Sequence, residues 1–294
     1  MAGNNNPRPR VACEVSAERV VAARAGHGAS SLEAVSAQSL AAGTITPGLQ
    51  HANIGGREAL VAALRDALAA VGGRSHDVTL VIPDASTRIL LLDFDALPEK
   101  PEDADSVVRF RLKKSLPFDV DSSAVSFDRQ PVENGVRVVA AVTPKSVLEE
   151  YEAVVRDAGY EPGAVLPLMI AALGVVDASR PTMVIKVETG TTTFAIVDDN
   201  QLLLYRALEN GGTAVTGESL VDDVNTSLVY FEDRYGISVE RVLVTGVQAA
   251  QALQTAFSNS NIRVEELVTS SLMGAAVGNV SRSALAGVAG ALVV

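Results

Sequence analysis

Arg109-Phe-Arg-Leu-Lys-Lys-Ser-Leu-Pro-Phe-Asp-Val-Asp121 is the stretch on which the fold turns. Phe110, Leu112 and Leu116 are apolar while Arg109, Arg111, Lys113 and Lys114 are charged, which predicts a basic amphipathic helix. Pro117 ends it, because the residue before a proline is pushed out of the α region. Phe118 and Asp119 then lead into a strand, Val125-Ser-Phe-Asp128.

Outward from there, residues 83 to 163 give a self-contained α+β pattern. A strand, Thr87–Asp93, is followed by an acidic loop, Glu99–Asp105, and then by the basic helix. Two strands come next, Ala124–Arg129 and Gly135–Val142, and a helix from Pro144 to Gly159 closes the segment. Thr143 and Pro144 are expected to open that last helix and Gly159 to stop it as its C′ residue.

The flanking sequence contains one pattern twice. The first copy has strands at Arg10–Val15, Arg19–Ala23 and Leu32–Gln38, a helix from Gly55 to Val71 and a buried strand Val78–Pro83. The helix rests on Leu60, Val61, Leu64, Leu68 and Val71 at three- and four-residue spacings. The second copy has strands at Thr182–Glu188, Thr192–Asp198 and Gln201–Arg206, a helix from about Glu218 to Tyr235 and a strand Arg241–Thr245. Two hairpin-containing meanders, each followed by helix and strand, indicate a duplicated α/β architecture.

Composition narrows the function. The 294 residues suffice for two lobes, and a net charge of −11 without tryptophan argues against nucleic acid. The single cysteine, Cys13, excludes a disulfide framework and is expected to be a small buried residue of the first strand. Residues 1–9 carry basic residues but no apolar h-region, so they predict a disordered tail and a cytoplasmic protein. The uncharged run Ala284–Val294 is far short of the ~20 residues that a membrane span needs. Its small residues, Ala286, Gly287, Ala289 and Gly290, suit a helix packed close against a sheet.

The Leu-Pro-Phe-Asp stop at 116–119 resembles the PilM family of type IV pilus assembly proteins. So do Val142-Thr-Pro-Lys-Ser-Val-Leu-Glu-Glu-Tyr151, Asp157-Ala-Gly-Tyr-Glu-Pro-Gly163 and the ending Gly290-Ala-Leu-Val293. The resemblance implies a duplicated actin/hexokinase-type (ribonuclease H-like) α/β fold with an inserted α+β subdomain, placed as in PilM and its cell-division relative FtsA. It implies a first lobe at 10–84 joined by a C-terminal helix at 284–294, an inserted subdomain at 85–162 and a second lobe at 163–283.

In that superfamily nucleotide lies between two hairpins whose backbone N–H groups face the phosphates, and glycine there permits close approach. The residues matching the first hairpin are Glu14, Val15 and Ser16, followed by Ala17, Glu18 and Arg19 where relatives have small or hydroxyl residues and then lysine. Two carboxylates thus flank the place for a polyanion. The second hairpin, Glu188-Thr-Gly-Thr-Thr-Thr193, keeps Gly190 and Thr191, which suits a phosphate or simply a tight turn. On the nucleoside side Gly246 is followed by valine, not a second glycine, and although Gly211 and Gly212 are present, the helical insertion of PilM-like proteins after them is reduced or missing. The expectation is a degenerate actin-like ATPase with no cofactor, or ATP–magnesium bound only weakly.

His27, His51 and His76 have no metal-type spacing, and the acidic clusters Glu99–Asp105 and Asp119–Asp121 lack that of a calcium loop. Function is then expected to lie in surfaces. The resemblance implies a scaffold of the pilus assembly platform, peripheral at the inner membrane, that holds the N-terminal tail of a PilN-like bitopic protein. Motor ATPases, platform proteins and self-association are further expected contacts, and Phe118, Val136, Val138 and Val142 are the expected tail-binding wall. The basic helix suits an anionic lipid surface or a solvated face. The alternatives are a working actin-like ATPase and a GspL-like type II secretion component. A sugar or acetate kinase of this fold would need an intact phosphate hairpin and a catalytic carboxylate.

Overall fold

The computed structural model describes residues 9–26, 31–210, 216–246, 249–273 and 280–292. An antiparallel meander, β1 (Val11–Val15), β2 (Arg19–Ala25) and β3 (Leu32–Ser39), is followed by α1 (Arg57–Val71) and β4 (Asp77–Ile82). The chain then makes β5 (Arg88–Phe94), α2 (Pro101–Lys113), β6 (Ser123–Val132) and β7 (Gly135–Pro144) before α3 (Lys145–Asp157), β8 (Glu161–Pro167) and the short α4 (Leu168–Ala172). A second meander, β9 (Thr182–Glu188), β10 (Thr191–Asp198) and β11 (Gln201–Glu209), leads to α5 (Gly217–Tyr235), β12 (Arg241–Gly246), α6 (Ala249–Ala256), β13 (Arg263–Glu266) and α7 (Ala286–Leu292).

The two five-stranded sheets have the same order. The first runs β3-β2-β1-β4-β8 and the second β11-β10-β9-β12-β13, with β4 and β8, and likewise β12 and β13, added in parallel. This is the duplicated α/β architecture that the sequence pattern predicts. β1 and β10 are buried along almost their whole length, because each sheet is covered on both faces.

On the outer face of the first sheet, Leu60, Leu64, Leu68 and Val71 of α1 pack with Tyr151, Val154 and Val155 of α3. Cys13 lies in this core, where burial pushes its thiol up to about 12. The inner face joins the lobes: Ala12, Val21 and Ala23 share one core with Val184 and Ala195 of the second sheet and with α7. Close approach is what places α7 there. A Cβ on Gly290 would collide with the Ala171 carbonyl of α4, and one on Gly287 with the Glu14 carboxylate.

Three expectations change. Residues 101–105 are not an acidic loop but the first turn of α2, with Pro101 opening it and Glu102 and Asp103 favourably placed at its positive end. The helix stops at Lys113, well before Pro117, and buries Ala104, Val108 and Leu112, while Phe110 points outward at 62% exposure. Thr143 is no cap. It lies in β7 with its hydroxyl 2.8 Å from that of Thr87, and no side chain caps α3.

The lobe boundaries also move. β8 is hydrogen-bonded to β4, so residues 161–167 complete the first sheet, and α3 packs in the first lobe's core. What is inserted is the three-stranded sheet β5-β7-β6 with α2 on one face, residues 88 to 144. Gly159 ends α3 as expected: with φ +93 it donates to Arg156 O while Tyr160 N–H reaches Val155 O.

Candidate interlobe site

The β1–β2 turn (residues 16–18) and the β9–β10 turn (189–190) face each other across a cavity of about 850 Å³ between the lobes. Its far wall is the segment after β3, including Gly43, Thr46 and His51. The volume would admit a nucleotide.

Lys186, on β9, is buried, and its ammonium lies 3.7 Å from Glu14 Oε1 on β1 and 3.5 Å from Glu188 Oε1. Burial alone would lower its pKa, but the charges of Glu188, Glu14 and Asp84 outweigh that and hold it raised. Glu14 is pushed up by burial, which Lys186 opposes and Glu188 reinforces. Asp84, just after β4, is pushed up to about 7, first by burial and then by Glu188. Its Oδ1 accepts hydrogen bonds from the Met169 backbone N–H at 2.9 Å and the Tyr205 hydroxyl at 3.2 Å. A low-dielectric charge cluster thus spans both lobes, with one cation serving two or more carboxylates.

The other cations of the cavity are engaged too. Arg19 pairs with Glu18 at 3.4 Å and Arg88 with Glu209 at 3.3 Å. Four carboxylates and three lysine or arginine side chains line the space, and each of those cations has a carboxylate within 4 Å. Ser16 lines the cavity, but its N–H and its hydroxyl both go to the Arg19 carbonyl, at 2.9 and 3.1 Å, closing the turn. Across the cavity the Thr189 hydroxyl donates to Glu18 Oε1, tying the hairpin tips together.

Gly190 has φ +88, a conformation that glycine adopts freely, and its carbonyl accepts from Asn210 N–H at 2.8 Å. Thr191, Thr192 and Thr193 are buried in β10. Gly246 ends β12 opposite Val187, while Gly211, Gly212, His27 and Val247 lie outside the described residues. At the first hairpin the side chains of Glu14 and Glu18 offer acceptor oxygens, and Lys186 lies between Glu14 and Glu188.

Several members of this site escaped the sequence reading. Lys186 sits in Thr182-Met-Val-Ile-Lys-Val-Glu188 as a lone cation in an apolar strand, and a strand buried on both faces is the signal that would have marked it. Asp84 stands directly after a buried strand and Pro83, where a carboxylate reads as a turn residue.

Among solved structures, the chain superposes on a chain of the PilM-PilN type IV pilus biogenesis complex with a TM-score of 0.76, covering 97% of each at 16% identity. The fold is that of PilM. The ethanolamine utilization protein EutJ from Carboxydothermus hydrogenoformans is similar at a TM-score of 0.53 and 12% identity, over 98% of this chain and 92% of that one. The cytoplasmic domain of EpsL, an inner-membrane component of the type II secretion system of Vibrio cholerae, gives 0.51 and 8%, over 89% and 98%. No protein-family profile and no curated protein matches the chain.

Within this PilM-like fold the expected tail-binding wall is redistributed. Val138 and Val142 are fully buried beneath α2, and β7 is the central strand of its sheet, so neither their side chains nor their backbone can receive a peptide. Phe118 and Val136 are partly buried against the same core, beside Val125 and Phe127 of β6, an outer strand. His51 lines the interlobe cavity, and His76 stacks at 5.3 Å on Tyr160 with its Nδ1 2.7 Å from Gly159 O. Among the described residues, no group of three or more His, Cys, Asp and Glu is arranged to hold a metal ion. Nor is any described helix long and apolar enough to cross a membrane.

Proposed function

We propose that this chain is a nucleotide-independent scaffold of a pilus-type assembly platform, peripheral at the cytoplasmic face of the inner membrane, where it holds the N-terminal tail of a PilN-like bitopic protein. The observation that carries the pseudo-ATPase half is Lys186, buried between Glu14 and Glu188 where a nucleotide's charge would have to be met. The likeness in fold to a chain of the PilM-PilN complex supports the partner half.

An extended tail of about ten residues would add to an edge strand, where main-chain hydrogen bonds give affinity and alternate side chains give specificity. The outer edge of β6 suits this role. It belongs to the inserted sheet, its Val125 and Phe127 are partly buried with Phe118 nearby in the same cluster, and α3 of the first lobe packs against it. Motor ATPases and other platform proteins would then meet the scaffold elsewhere on its surface.

Fluorescence polarisation with a labelled tail peptide from the co-encoded bitopic protein tests the reading. Binding at tens of micromolar or tighter, weakened by Phe127→Asp and by Phe118→Ala in folded protein, is the expected result. No binding at that concentration would remove the scaffold's mechanism.

A further inference from the structure

Among the described residues, the large apolar side chains standing out in solvent are Val107 and Phe110 on α2 and Val229 and Tyr230 on α5. They form two stripes, one predominantly basic and one predominantly acidic. On α2, Val107, Phe110, Arg111 and Lys114 follow the i, i+3, i+4, i+7 spacing of one helix face, which the exposed Asp103 also shares at its N-terminal end. Lys114 Nζ lies 4.4 Å from the centre of the Phe110 ring, while the other two basic residues are used internally, Arg109 by Asp105 and Lys113 by Asp121. Among the described residues Arg111 and Lys114 have no carboxylate within 4 Å. On α5, Asp222, Thr226, Val229, Tyr230 and Asp233 share one exposed face, and neither aspartate is ion-paired among the described residues.

From this complementarity we infer that the chain docks on a second copy of itself, α2 of one against α5 of the next. Phe110 and Val107 would pack against Tyr230 and Val229, with Arg111 and Lys114 facing Asp222 and Asp233. The two stripes cannot satisfy each other within one molecule. Val108 and Leu112 of α2 cover the face of the inserted sheet made by Leu92, Val138 and Ala140. The C-terminal end of α5 meets the opposite face, where Arg137 reaches the Tyr235 hydroxyl at 3.0 Å. The docking surfaces thus lie on opposite sides of one sheet, so a contact leaves both copies with an unused surface and the assembly grows head to tail. Two short helix faces make a small interface, which sets the association in the weak, concentration-dependent class. This inference is independent of tail binding.

Sedimentation velocity on the full chain, from about ten to several hundred micromolar, is the test. The wild type should rise in mass beyond a dimer, whereas Phe110→Asp and Tyr230→Asp should each remain monomeric. Mixed in equal amounts, the two variants should form a species of twice the monomer mass and stop there, since together they offer one intact α2 and one intact α5. That rescue also shows that both variants are folded. A monomeric wild type at the top concentration, self-association by Tyr230→Asp alone, or a mixture that fails to pair would overturn the inference. So would a monomeric wild type that binds anionic phospholipid vesicles through Phe110, which would assign the α2 stripe to lipid.

Discussion

Lys186 of the second lobe lies 3.7 Å from Glu14 of the first, and both are buried. The Lys186 ammonium puts positive charge between carboxylates from opposite lobes. One ammonium thus bridges carboxylates of the two lobes. Such a cluster is fragile to the loss of one member, because an unmatched buried charge remains.

Lys186→Met should destabilise the protein by about 3–5 kcal/mol, read as a lower urea midpoint. Adding Glu14→Gln and Glu188→Gln to that variant should recover most of the loss, because the uncompensated charges are then gone. A single variant as stable as the wild type would mean that the cluster is solvated.

Asp84 predicts a pH dependence. Its pKa rises from 3.8 unfolded to about 7 folded, so between those values the folded state holds the extra proton. The stability it contributes is complete below about 4 and is lost as pH rises toward 7, by an amount on the order of a few kcal/mol. Asp84→Asn cannot titrate. In urea unfolding at a series of pH values, the wild type should lose stability relative to this variant across that window and run parallel to it above. A constant difference between the two would show that Asp84 is ionised throughout.

Gly290 sets how closely α7 approaches α4. Because a Cβ there would meet the Ala171 carbonyl, Gly290→Ala should cost about 1–3 kcal/mol despite its better helix propensity. Thermal unfolding checks the sign, and a stabilised variant would mean that the helices can separate freely.

Much of the architecture was legible in local sequence. The alternating strands of both meanders, α1 and the Gly159 stop follow from periodicity and turn chemistry, since each depends on neighbours along the chain. β8 was not, because Pro162, Gly163 and Pro167 read as loop. Such residues are tolerated at a sheet's edge, where β8 lies. α2 shows the same limit from the other side. Ala104, Val108 and Leu112 carry the buried period at four-residue steps, whereas Phe110, the largest apolar residue of the helix, stands out in solvent. At the first hairpin Glu14 and Ser16 were legible as departures from the pattern of the resembled family. That Lys186 meets Glu14 was not, since the two lie on different lobes and only the shared core brings them together.

The inserted sheet is coupled to the second lobe through Arg137, which grips Asp93 at 2.7 and 3.1 Å and donates to the Tyr235 hydroxyl. That hydroxyl in turn donates to Leu203 O at 3.0 Å. Tyr235→Phe should cost on the order of 1 kcal/mol and speed amide hydrogen exchange in β5 and β7. Unchanged exchange there would show that the apolar contacts alone hold the insert.

The account stands or falls on the nucleotide. Isothermal titration of the purified chain with ATP and magnesium should show no binding tighter than roughly millimolar, an affinity worth about 4 kcal/mol. Binding in the micromolar range would contradict it, because the phosphate chain would then have found positive charge in a cleft where Lys186, Arg19 and Arg88 are already paired.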